Sequence, residues 1–180
     1  MRHLAAALGI LAWATAGARA DGPDPSPLRV MIDVPERYGE RPLQLEDAET
    51  HFHVVLLNGS GQPVRLWAEW CSWGAENLRL ELTLPDGKRT TIRKHPLAYK
   101  RNAAAWFTLG PGEATVREVY PLSMEPRRMW DQFPEIPPGK TLRVKLRAVF
   151  EIPRDAYTEQ RGVWAGRVES KELEVLLSRV

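Results

Sequence analysis

Cysteine is almost missing from this 180-residue chain, with Cys71 standing alone. One thiol cannot close an intrachain disulfide, and it excludes the paired-cysteine zinc and redox motifs. Long apolar runs are equally scarce. The single candidate, residues 4–16 within "MRHLAAALGILAWATAGARA", is shorter than the ~20 residues that span a bilayer. Its basic start, apolar centre and Ala18-Arg19-Ala20 ending predict a secretory signal peptide over residues 1–20. Position 21 is Asp21 and not cysteine, which excludes lipid attachment at that point. Net charge is the third shortage. The chain has 25 Lys and Arg against 23 Asp and Glu, and loss of Arg2 and Arg19 with the signal peptide leaves 23 of each. A neutral mature protein gives no electrostatic reason to expect a nucleic-acid or anionic-membrane partner. The expected product is exported, periplasmic or extracellular, without a membrane span.

Helical periodicity is also sparse, whereas alternation with period two recurs along the chain. After an extended leader at 21–27, "DGPDPSP", a single domain is expected over 28–180. Leu28, Val30, Ile32 and Val34 share one face of "LRVMIDV", Phe52, Val54 and Leu56 share another, and Leu78, Leu80, Leu82 and Leu84 a third. The longest run places Leu142, Val144, Leu146, Ala148, Phe150 and Ile152 together. Further strands are expected at 64–70, 88–93, 103–109, 114–119 and 163–178, the last interrupted near Ser170. Between them lie "NGSGQP", "PDGK" and "GPGE", where Gly supplies positive φ and Pro fixes its own. This pattern predicts an all-β fold, an antiparallel immunoglobulin-like β-sandwich. One connection, residues 120–139, carries five prolines. A short helix is expected inside it, with Pro126 in its first turn and Met129, Trp130 and Phe133 on one apolar side. That segment reads either as a binding loop or, preferably, as a lid over an open end of the sandwich.

The succession "VLLNGSGQPVRL", "LELTLPDGK", "FTLGPGE" and "TLRVKLRAVFEI" resembles the order of motifs in secreted bacterial immunoglobulin-like domains, including the Bacillus intracellular proteinase inhibitor family. The terminal "GVWAGRVESKELEVLL" is similar to the closing strands of uncharacterised exported proteins of that kind. The resemblance spans residues 50–178 and implies the fold. No inhibitory loop residue carries over to this chain.

The tryptophans concentrate in "RLWAEWCSWG", residues 65–74. Read as a strand followed by a bend, the segment puts Val64, Leu66, Ala68 and Trp70 in the core and Arg65, Trp67, Glu69, Cys71 and Trp73 on the other face. Read as a helix ended by Gly74, it puts Trp67, Trp70 and Trp73 in one stripe. Exposed indoles can anchor a protein partner or stack on a sugar, so Trp67, Trp73 and Trp130 are the candidate binding residues. Packing is the simpler use of such rings. Cys71 reads as a buried, inert thiol. The alternative is a thiol or metal site joining Cys71 to His51 and His53, with Met124 or Met129 as soft ligands. Arg143, Lys145 and Arg147 form a basic row, and Lys88, Arg89, Arg93, Lys94, Lys100 and Arg101 cluster within fourteen residues. A polyanion could use them, but they are expected to be solvated or to pair across strands with carboxylates such as Glu81. "NGSGQ" lacks nucleophile-elbow spacing, and "GPGE" lacks the Lys-Ser/Thr of a phosphate loop. The carboxylates of "LEDAE", Glu46, Asp47 and Glu49, do not establish a glycosidase pair. The resulting expectation is a non-enzymatic binding or structural module with no cofactor, no catalytic residue and no bound metal, its partner a protein or a glycan.

Overall fold

The computed structural model describes residues 26–35, 42–45, 47, 49–95, 102–121, 130, 131 and 133–179. The signal peptide, Glu46, Lys100, Arg101, Met124, Met129 and the helix expected to start at Pro126 lie outside the described residues. The fold is mostly β, with antiparallel sheets that do not close into a barrel. One sheet has the order β1-β3-β8, built from Leu28–Asp33, Phe52–Asn58 and Ala114–Val119. A larger sheet has the order β2-β11-β9-β5-β6, from Leu43–Gln44, Leu173–Ser178, Thr141–Ile152, Leu78–Thr83 and Arg89–Arg93. A two-stranded ribbon pairs β4, Val64–Trp67, with β7, Trp106–Leu109. All pairings are antiparallel except that of the short β2 with β11.

Alternation positions the core. Leu28, Val30, Phe52, Val54, Leu56 and Val119 project from the small sheet toward Leu80, Leu82, Ile92, Val144, Leu146, Ala148 and Leu177 of the large one, in one buried cluster. The strand expected over 163–178 does break at Ser170, into β10, Gly166–Glu169, and β11, both lying along β9. Ser170 replaces the missing ladder rung. Its N–H donates to Ala148 O at 2.9 Å and its Oγ accepts from Ala148 N–H at 3.0 Å, so β9 stays satisfied across the gap.

The turns follow their residues. Gly87, at φ 83°, closes "PDGK" as its N–H donates to Leu84 O. Asn58 is fully buried and ties two turns together: Nδ2 donates to the carbonyls of Gln62, Leu109 and Gly110, while Oδ1 accepts from Ser60 N–H and Oγ–H. Ion pairs dress the outer face of the large sheet. Arg147 bonds Glu81 and Glu169, Arg79 bonds Glu151, and Arg167 bonds Glu169, so the expected pairing of the basic row with Glu81 holds for Arg147. Arg143 pairs with Glu174.

A third group of charges joins separate elements. Glu69, in the turn after β4, accepts from Lys94, just past β6, and from Arg117 on the inward side of β8. Burial raises the Glu69 carboxyl, but Arg117 and Lys94 outweigh it and hold the carboxyl below its ordinary value of 4.5. A depressed native pKa stabilises the fold at pH above the unfolded value, and that contribution fades as pH falls through the native value. Glu69→Gln is therefore expected to cost about 2 kcal/mol at pH 7, the scale of a charged hydrogen bond. The same variant should lose less stability than the parent between about pH 5 and pH 3. Urea midpoints measured across that range check this, and parallel acid limbs for the two proteins would contradict it.

Candidate functional site

The β4–β7 ribbon sets the surface. Trp67 and Trp106 are opposite one another in its register, as are Arg65 and Thr108, and these residues share a face; Leu66 and Leu109 point the other way into the core. The strand ends at Trp67. Cys71 N–H donates to Ala68 O at 3.2 Å to form a turn, and the one-turn helix α1, Ser72–Ala75, follows. The expected bend is thus present, but it arrives before Trp70 and reverses the assignment of that ring. Trp70 is 67% exposed, whereas it was expected in the core.

A second helix, α2 at Ala156–Gln160, covers the Trp67 face of the ribbon. Asp155 caps it by accepting from Thr158 N–H at 2.7 Å, and Gly162 at φ 60° ends it. Its Tyr157 ring stacks on Trp67 at 5.7 Å between centroids with an interplanar angle of 8°, and on Trp73 at 5.4 Å. Trp106 meets Trp67 edge-on at 6.1 Å. Trp67 is consequently only 2% exposed, a correction to its expected place as a surface binding ring. Its strand parity follows the alternation, but a helix some ninety positions later covers it. Trp73 is half-buried in the same stack.

Two guanidiniums cap this aromatic floor. The Arg65 and Arg161 carbons lie 5.4 and 5.7 Å from the Trp106 ring centre, and Arg161 lies 5.2 Å from that of Tyr157. Arg65 Nη1–H donates to the Arg161 backbone carbonyl at 2.6 Å, which ties the Arg65 side chain to the end of α2. Among the described residues no carboxylate pairs with either, in contrast to Arg79, Arg117, Arg143, Arg147 and Arg167. A guanidinium held over an aromatic face by cation–π attraction keeps N–H donors for a partner, and its planar fork is suited to take a carboxylate bidentately. Trp106 is 39% exposed at the centre of this surface.

Other candidates resolve differently. Trp130 is 8% exposed and forms a β-bridge with Lys94, so it is part of the wall of the core and not the docking ring of a loop; Phe133 also packs on the core. Cys71 is buried, its thiol donating to the carbonyls of Ala68 at 3.1 Å and Ala105 at 3.5 Å. His51 Nδ1–H donates to Glu49 O, and His53 Nδ1 lies 3.5 Å from Asp33. Cys71 and the two histidines do not form a ligand cluster: among the described residues no three His, Cys, Asp or Glu side chains are placed to hold a metal. Asp47 serves its own turn, accepting from Glu49 N–H and Thr50 Oγ–H. A shallow groove beside the "PDGK" turn is lined by Leu84, Pro85, Val144 and Lys145 with the paired Arg143 and Glu174. Among the described residues, no helix is long and apolar enough to cross a membrane.

Sequence reasoning missed Arg65, Trp106, Tyr157 and Arg161 as one group. The helix that supplies Tyr157 and is capped at its C-terminal end by Arg161 was signalled by Asp155 before it and Gly162 after it. The pairing of Trp67 with Trp106, separated by 39 positions, had no local signal. In comparisons with known proteins, the chain matches no protein-family model, no curated protein and no solved structure.

Proposed function

We propose that this chain is an exported, non-enzymatic immunoglobulin-like module that recognises a protein partner bearing acidic side chains through Arg65, Arg161, Trp106, Tyr157 and Trp73. Support for the immunoglobulin-like reading comes from strand order. With β1, β3 and β8 as strands A, B and E, the large sheet supplies β11, β9, β5 and β6 as G, F, C and C′. The β4–β7 ribbon departs from that plan, and the proposed binding surface is built on it. Export rests on the residues 1–20 pattern, and the resemblance to secreted bacterial immunoglobulin-like domains agrees with both.

The observation that carries the binding role is the pair of guanidiniums, without a carboxylate partner among the described residues, held over the exposed Trp106 ring and the half-buried Tyr157 ring. Trp, Tyr and Arg are the residues that concentrate binding energy in protein interfaces. Two guanidiniums over Trp106 favour an anionic partner over a neutral sugar. The test is capture of partners from the exported fraction by immobilised parent protein and by Arg65→Glu/Arg161→Glu. The charge-reversed protein should retain the partner at least about tenfold less, and capture by the parent should weaken with salt. Equal retention by both proteins would remove the proposal. Trp130→Ala is unsuited to this purpose because that ring is core.

Trp70 supports a second reading, carbohydrate binding. Its indole is mostly exposed, and Ser72 and Asn102, hydrogen-bonded to each other nearby in the chain fold, offer hydroxyl and amide groups. A glycan that shifts tryptophan emission in the parent but not in Trp70→Ala would establish it. An unresponsive glycan panel would dismiss it.

A further inference from the structure

The outer face of the β1-β3-β8 sheet has a self-complementary pattern. Cross-strand register sets three rows: Arg29–Leu57–Ala114, Met31–Val55–Val116 and Asp33–His53–Glu118. The middle row is wholly apolar, with Met31 45% and Val116 54% exposed, two of the four large exposed hydrophobics among the described residues. One flanking row carries the cation Arg29, and the opposite one carries two carboxylates beside a histidine. The remaining two exposed hydrophobics, Trp70 and Trp106, belong to the ribbon region described above.

We propose that this face docks against the same face of a second copy of the chain. A two-fold axis lying along the Met31–Val55–Val116 row superposes the apolar row on itself and exchanges the two flanking rows. Arg29 of each copy then faces Asp33 of the other, and the contact is isologous and closed. A two-fold axis along β3 would instead set Arg29 against Ala114 and lay the Asp33 row on itself, so Arg29 would have no carboxylate opposite it. Charge therefore selects the first arrangement. This dimer is independent of the arginine–tryptophan surface.

Size sets its strength. Three strands about 4.8 Å apart, each contributing five residues at roughly 3.3 Å, present only a few hundred Å², less than the ~800 Å² per partner of a standard interface. The dimer is accordingly weak and transient.

Sedimentation equilibrium of the purified protein from about 1 μM to 1 mM tests this. A concentration-dependent rise from monomer to dimer mass is expected. Val116→Glu should weaken association at least tenfold without affecting folding, because its side chain is exposed. Arg29→Asp and Asp33→Arg should each weaken it, and the double exchange, which restores opposite charges across the axis, should recover it. A constant monomer mass at every concentration would overturn the proposal and leave the face to the leader or to a different protein. Association that survives Val116→Glu, or that the double exchange fails to recover, would overturn it as well.

Discussion

Replacing Trp67 by alanine is expected to destabilise the fold by about 3–5 kcal/mol, the range for removing a fully buried large aromatic ring. In a chain of this length that corresponds to a fall of roughly 10 °C in melting temperature. Trp67 is the piece around which the ribbon, α1 and α2 assemble. Its ring is in stacking or edge contact with Trp73, Trp106 and Tyr157, so its loss opens a cavity bounded by groups from three elements that cannot all collapse into it. Trp70, three positions along, supplies the control. With two thirds of its surface in solvent, Trp70→Ala should alter stability by no more than about 0.5 kcal/mol. Thermal unfolding followed by circular dichroism separates the two. Equal stability losses for both variants would show that the strand does not end at Trp67. The same experiment bears on the binding proposal, because a disordered aromatic floor would leave Arg65 and Arg161 without their support.

The contrast between these neighbouring rings also marks where local pattern ceases to inform. Alternation in "NLRLELTL" and "KTLRVKLRAVFEI" placed Leu78, Leu80 and Leu82 and the inward side of β9 correctly, because the apolar side of each strand faces the core; Val149, buried on the opposite side of β9, is the exception to the alternation. The break at Ser170 was legible for the same reason: the apolar phase of β10 does not continue into β11. In "VRLWAEW" the phase was read correctly as far as Trp67, and two non-local facts then intervened. The strand stops to let Cys71 turn back on Ala68, and α2 arrives from residues 156–160 to cover the outer face. Neither fact is encoded within the segment. The candidate site is harder still, since Arg65 and Arg161 become neighbours only when the loop between β9 and β10 folds over the ribbon. Each arginine alone has the pattern of an ordinary exposed charge. Likewise the register that sets Met31 beside Val55 and Val116 depends on how three strands pair, not on any one of them.

Gly74→Ala is the second large effect, and its sign opposes the usual one. In an unobstructed helix, alanine is favoured over glycine by about 1 kcal/mol. Here a Cβ at position 74 would lie 2.6 Å from the Ala68 carbonyl carbon, nearer still to its oxygen, and 3.0 Å from the Trp67 carbonyl oxygen. All three are backbone atoms, so no rotamer change relieves the clash. Either α1 or the Ala68–Cys71 turn must move, and the turn is held by Cys71 N–H on Ala68 O and by Ala68 N–H on Ala105 O. The expected loss is about 3 kcal/mol, at the upper end of overpacking penalties. Gly61→Ala, where a Cβ meets nothing within 4 Å, should be nearly neutral. Cys71 gives a second readout. Its thiol is enclosed at the same turn in the parent, so it should react slowly with Ellman's reagent, and displacement of the turn in Gly74→Ala should speed that reaction at least about tenfold as its protection falls. A Gly74→Ala protein as stable as the parent, with its thiol equally protected, would mean that α1 does not pack on the carbonyl of Ala68. The path of the chain from Trp67 to Trp73, and with it the aromatic floor under the two arginines, would then have to be redrawn.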